Sequence, residues 1–129
     1  MGTTTPSIWL TLQAHDAPAL IDWYVEVLGF RVAARHDDGD LVAHAELRWP
    51  EGVGGVMLGS FVEGRPFTIA PGSANAYVVT ADPDAVHARA VAAGAEVLST
   101  PADTDFGSRQ TILRDPEGNT WSFGTYPGS

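Results

Sequence analysis

The stretch IWLTLQAHDAPALIDWYVEVLGF, residues 8–30, holds a complete strand-to-helix unit. Ile8, Leu10, Leu12 and Ala14 alternate with Trp9, Thr11 and Gln13, the period-two pattern of a strand with one buried face. Asp16 stands where an N-cap is needed, and Leu20, Ile21, Tyr24, Val27 and Leu28 recur at helical spacing before Gly29 offers a left-handed stop. The spacing predicts a strand over 8–14 and a helix from the Asp16 cap to Leu28.

Outward from this unit, Phe30–His36 and Leu41–Trp49 read as strands joined by the polar hairpin Asp37-Asp38-Gly39-Asp40. A turn at 51–55 leads to a strand over Val56–Val62, and Glu63–Ser73, with Gly64, Pro66, Pro71 and Gly72, reads as a connection. The order then begins again. Asn75–Thr80 is a strand, Asp82-Pro83 opens a helix that runs to Ala93 before Gly94, Ala95–Ser99 and Ser108–Arg114 are strands, and Asp115-Pro116-Glu117-Gly118-Asn119 turns into a last strand at Thr120–Thr125. Asp16 and Asp82 lie 66 residues apart and Gly29 and Gly94 lie 65 apart, so the chain contains an internal repeat. The predicted fold is α+β: one domain over 1–129 built from two βαβββ modules, at 6–65 and 73–129. Neither module buries its sheet face alone, so the two are expected to share one interior and to leave a cleft as the default binding site.

Composition narrows the chemistry. With 7 Lys+Arg against 16 Asp+Glu the formal net charge is −9, which argues against nucleic acid and anionic membrane surfaces as partners. All seven basic residues are Arg, so a lysine Schiff base is excluded, and the absence of Cys excludes a thiol nucleophile, a disulfide and thiolate metal ligation. Met1–Pro6 carries no basic segment leading into an apolar one, and no apolar run approaches the roughly 20 residues of a membrane span. The expected setting is cytoplasmic.

Two signatures carry a family likeness. Asp16, Ile21, Trp23, Tyr24, Leu28, Gly29 and Phe30 form the first, and Phe106, Gly107, Arg109, Asp115, Pro116, Glu117, Gly118, Asn119 and Trp121 the second. Together they resemble the vicinal oxygen chelate superfamily, of the glyoxalase, bleomycin resistance protein and dioxygenase type. The resemblance implies paired βαβββ modules in a cup-shaped mixed sheet. In the enzymes of that superfamily a divalent metal is held by His, Glu or Gln from the first and fourth strands of each module, where it polarises two neighbouring substrate oxygens. On this chain those positions fall on Trp9, Met57, Asn75 and Ser122. An indole, a thioether, an amide and a hydroxyl are poor donors for such an ion, and neither a metal nor another cofactor is expected.

Alternation places Trp9, Thr11 and Gln13, then Met57, Gly59 and Phe61, then Asn75, Tyr77 and Val79, then Ser122, Gly124 and Tyr126 on the same face as those positions. The candidate ligand-binding residues are therefore Trp9, Thr11, Gln13, Met57, Phe61, Asn75, Tyr77, Ser122 and Tyr126, with Phe106 and Arg109 at the rim. Flat rings, a thioether and a few amides suit a planar or extended organic ligand, with Gln13 and Asn75 orienting it. The alternative is that these side chains fill the interior as core. Arg109 pairs either with an acidic group of the ligand or with a carboxylate of the neighbouring module.

Other motifs read plainly. His44, Glu46 and Arg48 share one strand face, expected to be a solvated surface, with a His44–Glu46 catalytic pair as the alternative. The hairpin at 37–40 lacks the spacing of a calcium loop, Gly52-Val53-Gly54-Gly55 lacks a following Lys-Ser/Thr and helix, and Ser108 and Ser122 lack a nucleophile-elbow context. The resulting expectation is a homodimeric, metal-independent small-molecule-binding protein that sequesters a planar or hydrophobic natural product such as an antibiotic. The alternative is an enzyme of the same fold, a lyase, isomerase or glyoxalase-like catalyst acting on a small organic substrate.

Overall fold

The computed structural model describes residues 5–66 and 69–129; Met1–Thr4 of the leader reading and residues 67 and 68 of the expected connection lie outside it. Asp16 caps α1 (Ala17–Trp23) by accepting from the Ala19 N–H at 3.2 Å, and Asp82 caps α2 (Pro83–Ala92) by accepting from the Ala85 N–H at 3.0 Å. The first helix is shorter than its spacing predicts. After Trp23 the chain widens into a π-helical turn, Tyr24–Leu28, which Gly29 closes at φ 90° by donating to the Tyr24 carbonyl.

Strands β1 (Leu10–Ala14), β2 (Arg31–Asp38), β3 (Leu41–Arg48) and β4 (Gly55–Ser60) form one sheet in the order β1-β4-β3-β2. Strands β5 (Asn75–Val79), β6 (Val97–Asp103), β7 (Arg109–Arg114) and β8 (Thr120–Gly124) form the second, in the equivalent order β5-β8-β7-β6. Each pairs its first and fourth strands in parallel and the rest antiparallel. The βαβββ repeat is therefore as the sequence predicts, with adjusted ends. Trp9 precedes β1, Phe61 follows β4, Tyr126 follows β8, and β6 runs four residues beyond the expected Ser99.

The two sheets turn their inward faces to a single core. Leu12, Val56, Leu58, Ala45 and Leu47 come from the first sheet, and Leu113, Trp121 and Phe123 from the second. Phe30 packs 5.6 Å from Trp121 and Trp49 packs 5.7 Å from Phe123, centroid to centroid. Helix α1 packs on β1, β3 and β4 and α2 on β6, β7 and β8, so the helices and these rings fill the shared core and alternate strand residues point away from it.

Polar contacts at the seam are specific. The Glu117 carboxylate accepts from the His15 and Asp16 N–H groups at 2.8 and 2.9 Å, and Glu51 accepts from the Ala81 N–H and the Thr80 hydroxyl, both at 2.8 Å. Each module thus supplies a carboxylate to the start of the other's helix. Arg89 on α2 donates its Nε–H to the Val27 carbonyl at 2.9 Å, satisfying a helix-end acceptor of the first module.

Asp115 is the buried polar centre. Its Oδ1 accepts from the Glu117 and Asn119 N–H groups, and its Oδ2 from the Tyr24 hydroxyl at 2.5 Å, the Asn119 amide and the Trp121 indole. Burial, then the Asp115 charge, then the hydrogen bond to it, hold the Tyr24 hydroxyl far above its ordinary 10.0. The raised value means that this contribution to stability is fully present below pH 10 and fades as pH rises beyond it, because only the unfolded chain then ionises Tyr24. Tyr24→Phe is expected to lower unfolding stability by about 1–3 kcal/mol at neutral pH by removing one of the three donors to a buried carboxylate oxygen. It should also flatten the stability loss above about pH 10, read from urea unfolding at several pH values.

Candidate functional site

The outward faces carry the residues that sequence reasoning assigned to a ligand. On the first sheet Thr11 stands beside Met57 and Gln13 beside Gly59, and on the second Asn75 stands beside Thr120 and Tyr77 beside Ser122. Thr11 and Asn75 are exposed, whereas Gln13, Met57 and Ser122 are half-buried. Phe61 meets the His15 ring edge-on at 5.5 Å.

Glycines shape both faces. A Cβ on Gly55 would meet the Leu47 carbonyl and lie 2.9 Å from the Trp9 ring, so the absent side chain makes room for the indole. A Cβ on Gly124 would stand 2.5 Å from the Tyr77 hydroxyl and 3.0 Å from its ring, so Tyr77 lies flat across the second sheet. From there Tyr77 donates its hydroxyl to the Tyr126 carbonyl at 2.8 Å, and Tyr126 packs edge-on against Phe106 at 5.6 Å. The structure thus brings Tyr77, Tyr126 and Phe106 into one cluster, with 45%, 43% and 67% of their surfaces exposed. Among the described residues no hydrogen bond or ring contact joins this cluster to Trp9, Thr11, Gln13 or Met57 on the other sheet.

Arg109 is held in a fork of carboxylates. Its Nε and Nη2 grip Asp84 at 2.8 and 3.0 Å, and its Nη1 reaches Asp103 at 3.1 Å. Both carboxylates belong to the second module, not to the neighbouring one that the sequence reading considered. The fork holds the Asp84 carboxyl below its ordinary range, chiefly through the direct hydrogen bond, and raises Arg109 above its own. Of the two uses that the sequence leaves open for Arg109, the geometry shows a carboxylate pairing, made within its own module, that ties β7 to α2.

The polar row on β3 is more than a solvated strip. His44 Nε2 lies 2.8 Å from Glu46 Oε2, both half-buried, and Glu46 stands beside Met57 on the outward face. A cavity opens between the two modules, where a cleft is expected, but on the inward side and among residues that, Tyr77 apart, are not assigned to a ligand. It has a volume of about 370 Å³ and is bounded by Phe30, Trp49, Trp121, the Glu51–Gly55 turn and the Ala76–Val79 strand. In the sequence Phe30 and Trp121 read as parts of the two signatures and Trp49 as the end of a strand. The signal that marks the place is the hexapeptide Leu47-Arg48-Trp49-Pro50-Glu51-Gly52, which recurs as Leu113-Arg114-Asp115-Pro116-Glu117-Gly118 with one change, Trp49 for Asp115.

The sequence profile described as Glyoxalase/Bleomycin resistance protein/Dioxygenase superfamily matches residues 8–123. The chain belongs to that superfamily. An uncharacterized protein of Mycobacterium bovis, Mb0911c, is 32% identical over 133 residues, covering 92% of this chain and 82% of its own. Among solved structures, TioX from Micromonospora sp. ML1 superposes with a TM-score of 0.76 at 30% identity, covering 95% of this chain and 97% of its own. TnmS3 from Streptomyces sp. CB03234, described as an antibiotic binding protein, superposes at 0.73 with 25% identity, covering 95% and 96%.

The resemblance assigns the metal positions of the superfamily's enzymes to Trp9, Met57, Asn75 and Ser122 in this chain. No three or more His, Asp or Glu residues gather into a ligand set among the described residues. These donors do not fit a divalent ion, and the chemistry of the outward faces is that of their own side chains. No helix of the described residues is long and apolar enough to cross a membrane.

Gly124→Ala is expected to leave the fold intact, because the obstructing atoms belong to a side chain, yet to lift Tyr77 off the sheet and break its bond to Tyr126. A changed near-ultraviolet circular dichroism spectrum with retained cooperative unfolding would report this.

Proposed function

We propose that the protein is a metal-independent small-molecule-binding protein of the bleomycin-resistance type, which sequesters a planar or hydrophobic natural product such as an antibiotic. The observation that carries the reading is the open cluster of Tyr77, Tyr126 and Phe106 on the outward face, the face on which metal donors are replaced by an amide and a hydroxyl. Exposed rings preset by a glycine platform stack on a flat ligand at little entropic cost. The net charge of −9 favours a cationic ligand at the encounter stage. The description of TnmS3 as an antibiotic binding protein supports the same reading.

In this proposal the working unit is a homodimer in the cytoplasm. Because both inward faces are committed to one core, the two half-linings meet only when the first sheet of one copy faces the second sheet of another. The ligand then lies between Trp9, Thr11, Gln13 and Met57 of one copy and Asn75, Tyr77 and Ser122 of its partner. A two-fold arrangement makes two such cups.

One observation supports a second reading, that of an enzyme of the same fold. Glu46 orients His44 in the manner of a base and its positioning carboxylate on the same outward face. Turnover of a small organic substrate that vanishes in His44→Ala and resists chelator would favour it.

A panel of planar polycyclic antibiotics, followed by tryptophan quenching and by product analysis, tests the main reading. Saturable quenching without product is expected, with Trp9→Ala and Tyr77→Ala each weakening it by at least about tenfold. Native mass spectrometry of the same samples should show a dimer carrying two ligands. Unchanged affinity in both variants, or a monomer that binds fully, would overturn it.

A further inference from the structure

The inward cavity has features that a packing defect lacks. Phe30, Trp49 and Trp121 wall it with rings, and Ala76 and Val78 contribute small aliphatic side chains from β5. The turn at its mouth, Gly52-Val53-Gly54-Gly55, has Val53 as its one side chain larger than hydrogen. At about 370 Å³ the space is of the size that small organic ligands occupy.

The polar lining is the Glu51 carboxylate, already engaged by the Thr80 hydroxyl and the Ala81 N–H, and the main chain of β5. The Ala74 carbonyl accepts from the Thr120 N–H at 3.1 Å and the Thr80 N–H donates to the Gly124 carbonyl at 2.9 Å. In a parallel ladder of this register residues 74, 76, 78 and 80 therefore turn both main-chain groups toward β8. Tyr77 and Val79 turn theirs toward the open edge of the sheet, since β5 has no second neighbour. The Val79 carbonyl is taken there by the Trp49 indole N–H at 2.9 Å. Tyr77 folds its side chain away over Gly124, so it lines the cavity with its N–H and its C=O.

We propose that this cavity is a second ligand site, independent of the outward faces, for a planar fused-ring lactam. A single residue on a strand edge offers one donor and one acceptor side by side, as it does to a hydrogen-bonded partner in an antiparallel pair. A lactam carries the complementary N–H and C=O on one edge of a flat ring. The ring plane then fits between aromatic walls, and both main-chain groups of Tyr77 gain the partners that the sheet edge denies them. Trp49 fixes the site by closing the next acceptor along the edge.

Quinolin-2(1H)-one is a suitable probe, and its N-methyl derivative keeps the shape while removing the donor. In the full chain, the parent compound should quench tryptophan fluorescence saturably and shift the Tyr77 amide resonance in a nitrogen-15 spectrum. The N-methyl compound should bind at least about tenfold more weakly. Ala76→Leu, which fills the cavity from β5, should weaken the parent by a similar factor, whereas Trp9→Ala and Tyr126→Ala should leave it unchanged. Equal binding of the two compounds, an unmoved Tyr77 amide, or absence of binding at millimolar concentration would overturn the proposal. So would binding lost in Trp9→Ala or Tyr126→Ala but retained in Ala76→Leu, which would move the probe to the outward faces. Should Ala76→Leu fail to fold, the comparison of the two compounds on the unaltered chain decides the matter.

Discussion

Two glutamates, 66 residues apart, hold the molecule in its arrangement. Glu117 binds the His15 and Asp16 N–H groups that precede α1, and Glu51 binds the Ala81 N–H and the Thr80 hydroxyl before α2. A helix start carries unpaired donors and partial positive charge, so a carboxylate placed there satisfies both. The exchange is reciprocal: each module completes the helix of the other. The sheets are thereby drawn together at both ends, their inward rings interlock, and whatever the outward faces bind is decided by the residues left over. Arg89, reaching from α2 to the Val27 carbonyl, ties the opposite end of the first helix into the same arrangement.

Membership of the superfamily settles the architecture and leaves the chemistry to particular side chains. A metal-dependent member needs imidazole or carboxylate donors at four convergent positions, and this chain offers none there. It offers instead rings seated on glycines, Trp9 against Gly55 and Tyr77 against Gly124. Such seats fix ring orientation before any ligand arrives. They also account for glycines within strands, where a residue without a side chain otherwise weakens the sheet.

Much of the fold was legible in the sequence because its signals are local. Period-two alternation, the Asp16 and Asp82 caps and the Gly29 and Gly94 stops each depend on neighbours a few residues away, and the likeness of the two sheets follows from the repeat. Strand ends were less legible, since Trp9, Phe61 and Tyr126 keep the alternation after the hydrogen-bonded ladder has stopped. The π-helical turn at Tyr24–Leu28 was not visible because its apolar spacing is compatible with an ordinary helix; what widens the turn coincides with Tyr24 reaching Asp115, 91 residues away. For the candidate site, alternation identified the two outward faces but not how Arg109 is used. Its carboxylates, Asp84 and Asp103, become neighbours only through the packing of α2 on the second sheet. The lining of the inward cavity was hidden for the opposite reason: Phe30, Trp49 and Trp121 have core composition, and only topology leaves a space among them.

The repeated hexapeptide differs at one place, and the difference divides labour between the halves. In the second copy Asp115 gathers five hydrogen bonds and locks Tyr24, Asn119 and Trp121 together. In the first copy the same position is Trp49, whose single indole donor stops one acceptor of β5 and whose ring borders open space. A duplicated module needs only one such polar anchor to secure the common core. The other copy is free of that duty, so its equivalent position can carry a ring that borders open space without loss of the scaffold.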